Sequence, residues 1–252
     1  MKRRAALVLL GMAALACSAC ASMQSEAERQ AIGQMHYDIG VGALAENNTA
    51  KAISELTIAV ENDPGNARYQ HALGNAYLRV EQNDRAIVAF RKAVELDARF
   101  SDAYNDLGAA YMRQRMWGPA IDAFRRALAN PRYLTPERAY LNLGNAYLAQ
   151  SQYVAAAEEF RKVVDILPQS PDGYFFLGRT FLAQGKAAEG REQLEKAIQI
   201  DAAIPIFHLE LGLAHLKAGD KAAARESFRR TVELNPVGAE GTEARRQLQA
   251  IR

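Results

Sequence analysis

The only two thiols of the chain, Cys17 and Cys20, stand three residues apart in the stretch CSAC. A thiol among small residues can accept an acyl group, and what precedes these two decides whether they do. Two histidines, His208 and His215, are seven residues apart and could share one helix face as metal ligands. Gly185-Lys186 lacks the earlier glycine and the following hydroxyl that a phosphate-cradling loop needs. No nucleophile and base stand out as a pair, so neither an enzyme nor a cofactor is expected. Two side-chain amides, Asn75 and Asn145, occur in the same hexapeptide, LGNAYL, at residues 73–78 and 143–148. Each carries a donor and an acceptor, the pair needed to hold an extended peptide backbone.

The thiols are placed by what precedes them. MKRR is a positive leader, AALVLLGMAALA is a short apolar run, and CSACAS supplies the small residues of a cleavage zone. The run is too short to span a bilayer comfortably, which takes about 20 apolar residues. Residues 1–19 are therefore expected to be an export signal and residues 20–32 a membrane-proximal linker. The cysteine placement resembles the lipobox of bacterial lipoproteins, in which small residues precede an acylated cysteine. Ser18 and Ala19 suit the positions before Cys20, the expected lipidation site; Cys17, preceded by Ala14, Leu15 and Ala16, is the alternative. An ordinary secretory signal cut at Ala19-Cys20-Ala21 would instead leave a free periplasmic protein. Burial of acyl chains gives about 0.8 kcal/mol per methylene, so two or more chains anchor durably. The residue after either cysteine, Ala21 or Ser18, is not the aspartate that resembles an inner-membrane retention signal, which implies the outer membrane.

The rest of the chain is an ordinary soluble mixture, 49% apolar and 24% charged, able to bury a core. Its formal charge of +2 includes Lys2, Arg3 and Arg4. Without them no basic block remains to follow phosphates, and nucleic acid is excluded as an expected partner.

The elements that must position these residues are announced by glycine. Gly40, Gly74, Gly108, Gly144, Gly178 and Gly212 are separated by 34, 34, 36, 34 and 34 residues. Three residues after each stand Ala43, Tyr77, Tyr111, Tyr147, Phe181 and His215; four before stand His36, Gln70, Tyr104, Tyr140, Tyr174 and His208. Twelve after come Ala52, Ala86, Ala120, Ala156, Gly190 and Ala224, and sixteen after Leu56, Phe90, Phe124, Phe160, Leu194 and Phe228. The apolar positions recur at helical intervals, so each unit predicts two antiparallel amphipathic helices whose small residues let the backbones approach. His208 and His215 fall on aromatic packing positions and are expected in the core rather than on a metal.

The 34-residue period with this pattern resembles the tetratricopeptide repeat. The resemblance implies an all-α solenoid of six helix-turn-helix repeats, at 33–66, 67–100, 101–136, 137–170, 171–204 and 205–238, followed by a polar capping helix at 239–252. NPRYLTP at 130–136 carries the two extra residues of the longer repeat, where a partner could read Tyr133.

In that family the residue after the glycine and the residue three before it point into a peptide-binding groove. Here that groove would hold His71, Asn75, Asn105, Leu141, Asn145, Phe175, Leu209 and Leu213. Repeats 1 to 3 would offer a mostly polar wall, and Leu141, Phe175 and Leu209 an apolar ladder suited to an apolar peptide or amphipathic helix. Domains of this family that grip a C-terminal acid use lysine or arginine where His71 and Asn105 stand, so such a clamp is not expected.

A lipobox followed directly by six such repeats resembles the pilotin family of type IV pilus biogenesis, the PilF/PilW proteins. The resemblance implies an outer-membrane lipoprotein that helps the pilus secretin localise, insert or multimerise. The alternative is a periplasm-facing lipoprotein that scaffolds cell-wall enzymes or another envelope assembly machine.

Overall fold

The computed structural model describes residues 25–251. The leader, Cys17, Cys20 and residues 20–24 of the expected linker lie outside the described residues. Residues 25–32 of that linker are helical and form the first turns of α1, residues 25–45. Among the described residues there is no strand, and no helix is long and apolar enough to cross a membrane. The fold class is all-α, and the chain divides into two compact units, Met1–Ala110 and Tyr111–Arg252.

The first unit contains α1, α2 (Thr49–Asn62), α3 (Ala67–Arg79), α4 (Asn83–Leu96) and most of α5 (Ser101–Arg113). Asparagine begins two of its helices. Asn48 accepts from the Lys51 amide at 3.2 Å and Asn66 from the Arg68 amide at 3.1 Å, satisfying donors that a helix start leaves open. Ala43, Ala52, Leu56, Ala72, Leu73 and Ala76 form one core cluster.

The second unit contains α6 (Trp117–Leu128), α7 (Pro136–Ala149), α8 (Tyr153–Ile166), α9 (Pro171–Ala183), α10 (Ala187–Ile200), α11 (Pro205–Lys217), α12 (Lys221–Leu234) and α13 (Ala239–Ala250). Proline opens α7, α9 and α11, where its missing N–H costs nothing and its fixed φ suits the first turn. Ala120, Phe124, Tyr147, Ala156, Phe160 and Phe181 lie in one core cluster. Leu209, Phe228, Ala244 and Ile251 form another, which seats α13 on α11 and α12. Tyr133 of the longer connection is buried, so it is Leu134, 93% exposed, that this segment presents.

Three hairpins use the periodic glycine in the same way. A Cβ added at Gly144 would come within 2.6 Å of the Phe160 ring, and Gly74 and Gly212 meet Phe90 and Phe228 at the same 2.6 Å. The small residue is what lets the ring sixteen positions later lie against the first helix. The hairpin turns are equally regular. The amides of Asn48, Gln82, Met116, Gln152, Lys186 and Asp220 each donate to the carbonyl five residues earlier, at 2.8–3.0 Å. The residue before each of these has positive φ: Asn47, Glu81, Arg115, Ser151, Gly185 and Gly219. This is the left-handed helix ending that returns the chain into its second helix.

Candidate functional site

In the first unit the expected groove residues form a hydrogen-bonded cluster. The Nε2 of His71 donates to Asp106 Oδ2 at 2.7 Å, and its ring lies 4.8 Å from Phe100 and 5.6 Å from Phe90. Asn75 sits one turn further along the same face, its Nδ2 3.3 Å from the same His71 nitrogen. A nitrogen that donates to a carboxylate has no lone pair for a second donor, so Asn75 retains its own amide N–H groups for another acceptor. Asn105 behaves otherwise. It is 1% exposed and donates to Asp106 Oδ1 at 3.2 Å. A buried amide must be satisfied internally, and Asn105 therefore belongs under the face rather than on it.

In the second unit the expected open apolar ladder is corrected at two of its three rungs. Phe175 is 6% exposed and packs against Phe207, with ring centroids 4.8 Å apart, and against Phe176 at 5.1 Å. Leu209, also 6% exposed, is covered by Ala244 and Ile251 around α13. Both were assigned to the groove by position, but the large neighbouring rings in one case and the capping helix in the other enclose them. Leu141, Asn145 and Leu213 remain half-buried.

One pair was missed by position-by-position reading. Arg179 lies over the Phe175 ring at 5.6 Å, and its Nε is 3.2 Å from Glu210 Oε1. Burial pushes the Glu210 carboxyl above its ordinary range, and Arg179 partly opposes that rise. Glu210 stands two residues before its periodic glycine, as Asp106 does before Gly108 and Asp38 before Gly40. That recurrence of acids was the available signal. The second unit's face is thus a cation stacked on a buried ring and tied to an acid, flanked by half-buried Asn145 and Leu213.

The histidines occupy a different side of α11. His208 is buried, and its Nε2 lies 3.0 Å from the Ala202 carbonyl oxygen. Among the described residues no group of three or more histidine, cysteine, aspartate or glutamate side chains is arranged to hold a metal.

Helical hairpins of one period, with glycine against a ring and a shared turn, define a repeat protein built for presenting helix faces. The tetratricopeptide repeat description matches residues 37–99, 71–134, 105–171 and 176–239, with a second match of the same description at 147–203. The chain belongs to the tetratricopeptide repeat family. A comparison with curated protein sequences finds no match. Among solved structures, the chain is similar to PilW, described as a widely conserved type IV pilus biogenesis factor, at 21% identity and TM-score 0.77, covering 87% of this chain and 98% of that one. It is similar to PilF of Pseudomonas aeruginosa at 21% identity and TM-score 0.73, covering 87% and 99%. MamA is similar at 26% identity and TM-score 0.62 over 68% of this chain and 92% of that one.

Proposed function

We propose that the chain is a non-enzymatic, lipid-anchored protein scaffold of type IV pilus biogenesis, facing the periplasm from the outer membrane and assisting localisation, insertion or multimerisation of the pilus secretin. The observation that carries this reading is the near-complete overlap with two pilus biogenesis factors of the same repeat architecture. The leader ending in CSAC supports the anchor, with Cys20 as acceptor and Cys17 as the alternative. The available amide of Asn75 beside the His71–Asp106 pair in the first unit, and half-buried Asn145 at the same repeat position in the second, each support binding of a client segment by its own unit.

A deletion strain tests the client. Secretin monomers should persist while secretin multimers are depleted on a gel, with pili lost as a consequence. Normal multimers with altered cell shape or lysis would replace the reading with a cell-wall scaffold. The anchor is tested by fractionation: Cys20→Ala should leave the outer-membrane fraction, and its normal fractionation together with loss of Cys17→Ala would move the lipid to Cys17. Asn145→Arg and Arg179→Glu together alter the second unit's face without entering a core, and a folded, correctly localised double variant with normal multimers would remove this face from the reading.

A further inference from the structure

Met35 and Ile39 precede the periodic Gly40 by five residues and one, and Gly42 follows it by two. At these three offsets the other five repeats are buried throughout, from Tyr69, Leu73 and Ala76 in repeat 2 to Phe207, Leu211 and Ala214 in repeat 6. In repeats 2, 4 and 6 the cover comes from the second helix of the repeat before. Leu73 and Ala76 share a core cluster with Ala52 and Leu56 of α2, Leu143 and Ala146 with Ala120 and Phe124 of α6, and Leu211 and Ala214 with Leu194 and Ala197 of α10. Repeat 1 has no helix before it among the described residues, and its three positions are open. Met35 is 51% exposed, Ile39 is 37% exposed, and a Cβ added at Gly42 would meet nothing within 4 Å.

This face is also longer than the repeat requires. The first helices of the other repeats have 13 or 14 residues, whereas α1 runs from 25 to 45. The additional turns contribute exposed Glu28 and Ile32, the latter 37% exposed. At the other end Glu46 continues the face, its amide donating to the Gly42 carbonyl at 3.1 Å. Residues 28, 32, 35, 39, 42 and 46 thus alternate steps of four and three, the spacing of a seam that receives a second helix along its length. The seam is apolar at its centre and ends on an exposed acid at both sides. Arg29 adds one base beside Glu28, and Asp38 one acid beside the centre. At 100° per residue, Tyr37 and Val41, the groove positions of repeat 1, lie on the far side of α1.

We propose that the seam of α1 docks an amphipathic helix of a protein partner, apolar at matching four-three positions and carrying lysine or arginine towards both ends. The chain itself demonstrates the mode, because the same offsets receive a second helix in repeats 2, 4 and 6. Charge selects the partner. A second copy aligned in parallel would set Glu28 against Glu28 and Glu46 against Glu46, and an antiparallel copy would set Glu28 against Glu46. Like charges then face each other in either orientation, which opposes self-association. Helices that lie on a membrane surface are rich in lysine and arginine, the reverse of these ends. Gly42 leaves a hole in the seam for a large side chain of the incoming helix.

The proposal does not rest on the pilus reading. It is tested on the full chain by fluorescence anisotropy, with a synthetic helical peptide matched to α1 in length that carries leucine at the seam positions and lysine at both ends. A peptide ending in glutamate is its counterpart. Saturable binding of the lysine peptide is expected, at least about tenfold tighter than the glutamate peptide at low salt and converging with it as salt screens the charges. Met35→Gln with Ile39→Gln removes the apolar centre and should weaken binding about tenfold or more. Glu28→Lys with Glu46→Lys should reverse the preference between the peptides, a gain that misfolding could not produce. Equal binding of both peptides, undiminished binding by the glutamine variant, or an unchanged preference in the lysine variant would overturn the proposal. So would evidence for another occupant: a dimer in sedimentation, or cosedimentation of the unacylated chain with phosphatidylcholine vesicles, that the glutamine variant abolishes, or peptide binding that appears only after residues 1–19 are removed.

Discussion

Repeats 4 and 6 share a hairpin and differ in what stands beside it. A Cβ added at Gly144 or at Gly212 would come within the same 2.6 Å of a phenylalanine ring, and both hairpins turn through a positive-φ residue, Ser151 in one and Gly219 in the other. Next to the first, Arg125 caps a buried tyrosine. Next to the second, Glu195 and His215 face a cavity. The pairing within these hairpins is therefore fixed by steric fit and repeats closely, while the crevice between successive second helices is free to vary.

The most damaging way to probe this comparison is to truncate the shared ring. Phe160 and Phe228 are fully buried. Phe160→Ala and Phe228→Ala should each cost about 3–5 kcal/mol, read as a lowered urea midpoint. Similar losses are expected at the two sites, and a much smaller loss in repeat 6 would mean that its cavity already loosens the hairpin. Because repeat arrays need not unfold in one step, the midpoint should be followed by helix content and tyrosine fluorescence together.

Converting one crevice into the other comes next in size. Tyr147→His removes the hydroxyl that accepts from Arg125 and the ring beneath its guanidinium. A hydrogen bond to a charged group contributes about 1.5–3 kcal/mol and an exposed cation–π contact about 0.5–1 kcal/mol. A loss on the order of 2 kcal/mol is expected, and adding Arg125→Glu should recover part of it if the glutamate–histidine combination of repeat 6 is a matched pair. No recovery in the double-mutant cycle would reduce the exchange to coincidence.

A smaller, pH-dependent effect belongs to the opposite face of α11. Burial raises the folded-state pKa of Glu210, so its contribution to stability is fully present below the ordinary carboxylate range and is lost as pH rises through the raised value. Glu210→Gln should match the parent protein's Tm in acid and exceed it progressively as pH passes through that window, then hold a constant lead. The Arg179 partner is partly exposed, and its loss should subtract little. A variant less stable than its parent at neutral pH would show that the ion pair outweighs burial.

The fold was legible because its determinants are local and periodic. Glycine, alanine and a ring at fixed offsets are forced on any hairpin that packs this closely, and six copies made the period plain. The turns were less so. The left-handed position holds asparagine, glutamate, arginine, serine and two glycines, because a well-bonded turn can impose positive φ on residues that disfavour it by about 1–2 kcal/mol. Legibility failed most for the groove. Asn105, Phe175 and Leu209 occupy the same offset as His71 and Leu141, yet whether that offset is open depends on the neighbours: Asp106 for the first, Phe207 for the second, α13 for the third. A periodic pattern assigns a side chain to a helix face, and only the packing of the next helix decides whether that face is reached by solvent.

The least disruptive substitutions bear on that distinction most directly. Asn75 and Asn145 are both half-buried one residue beyond the glycine. The Nε2 of His71 is already committed to Asp106 at 2.7 Å, so Asn75→Ala removes no hydrogen bond that the fold relies on. Alanine also has the higher helix propensity, by up to about 0.7 kcal/mol. Asn75→Ala and Asn145→Ala should therefore shift Tm very little, and upward if at all, while weakening a client held by the amides. Destabilisation comparable to that of Tyr147→His would instead make the asparagines part of the packing. The client-binding face would then have to be sought around Arg179 and Glu210.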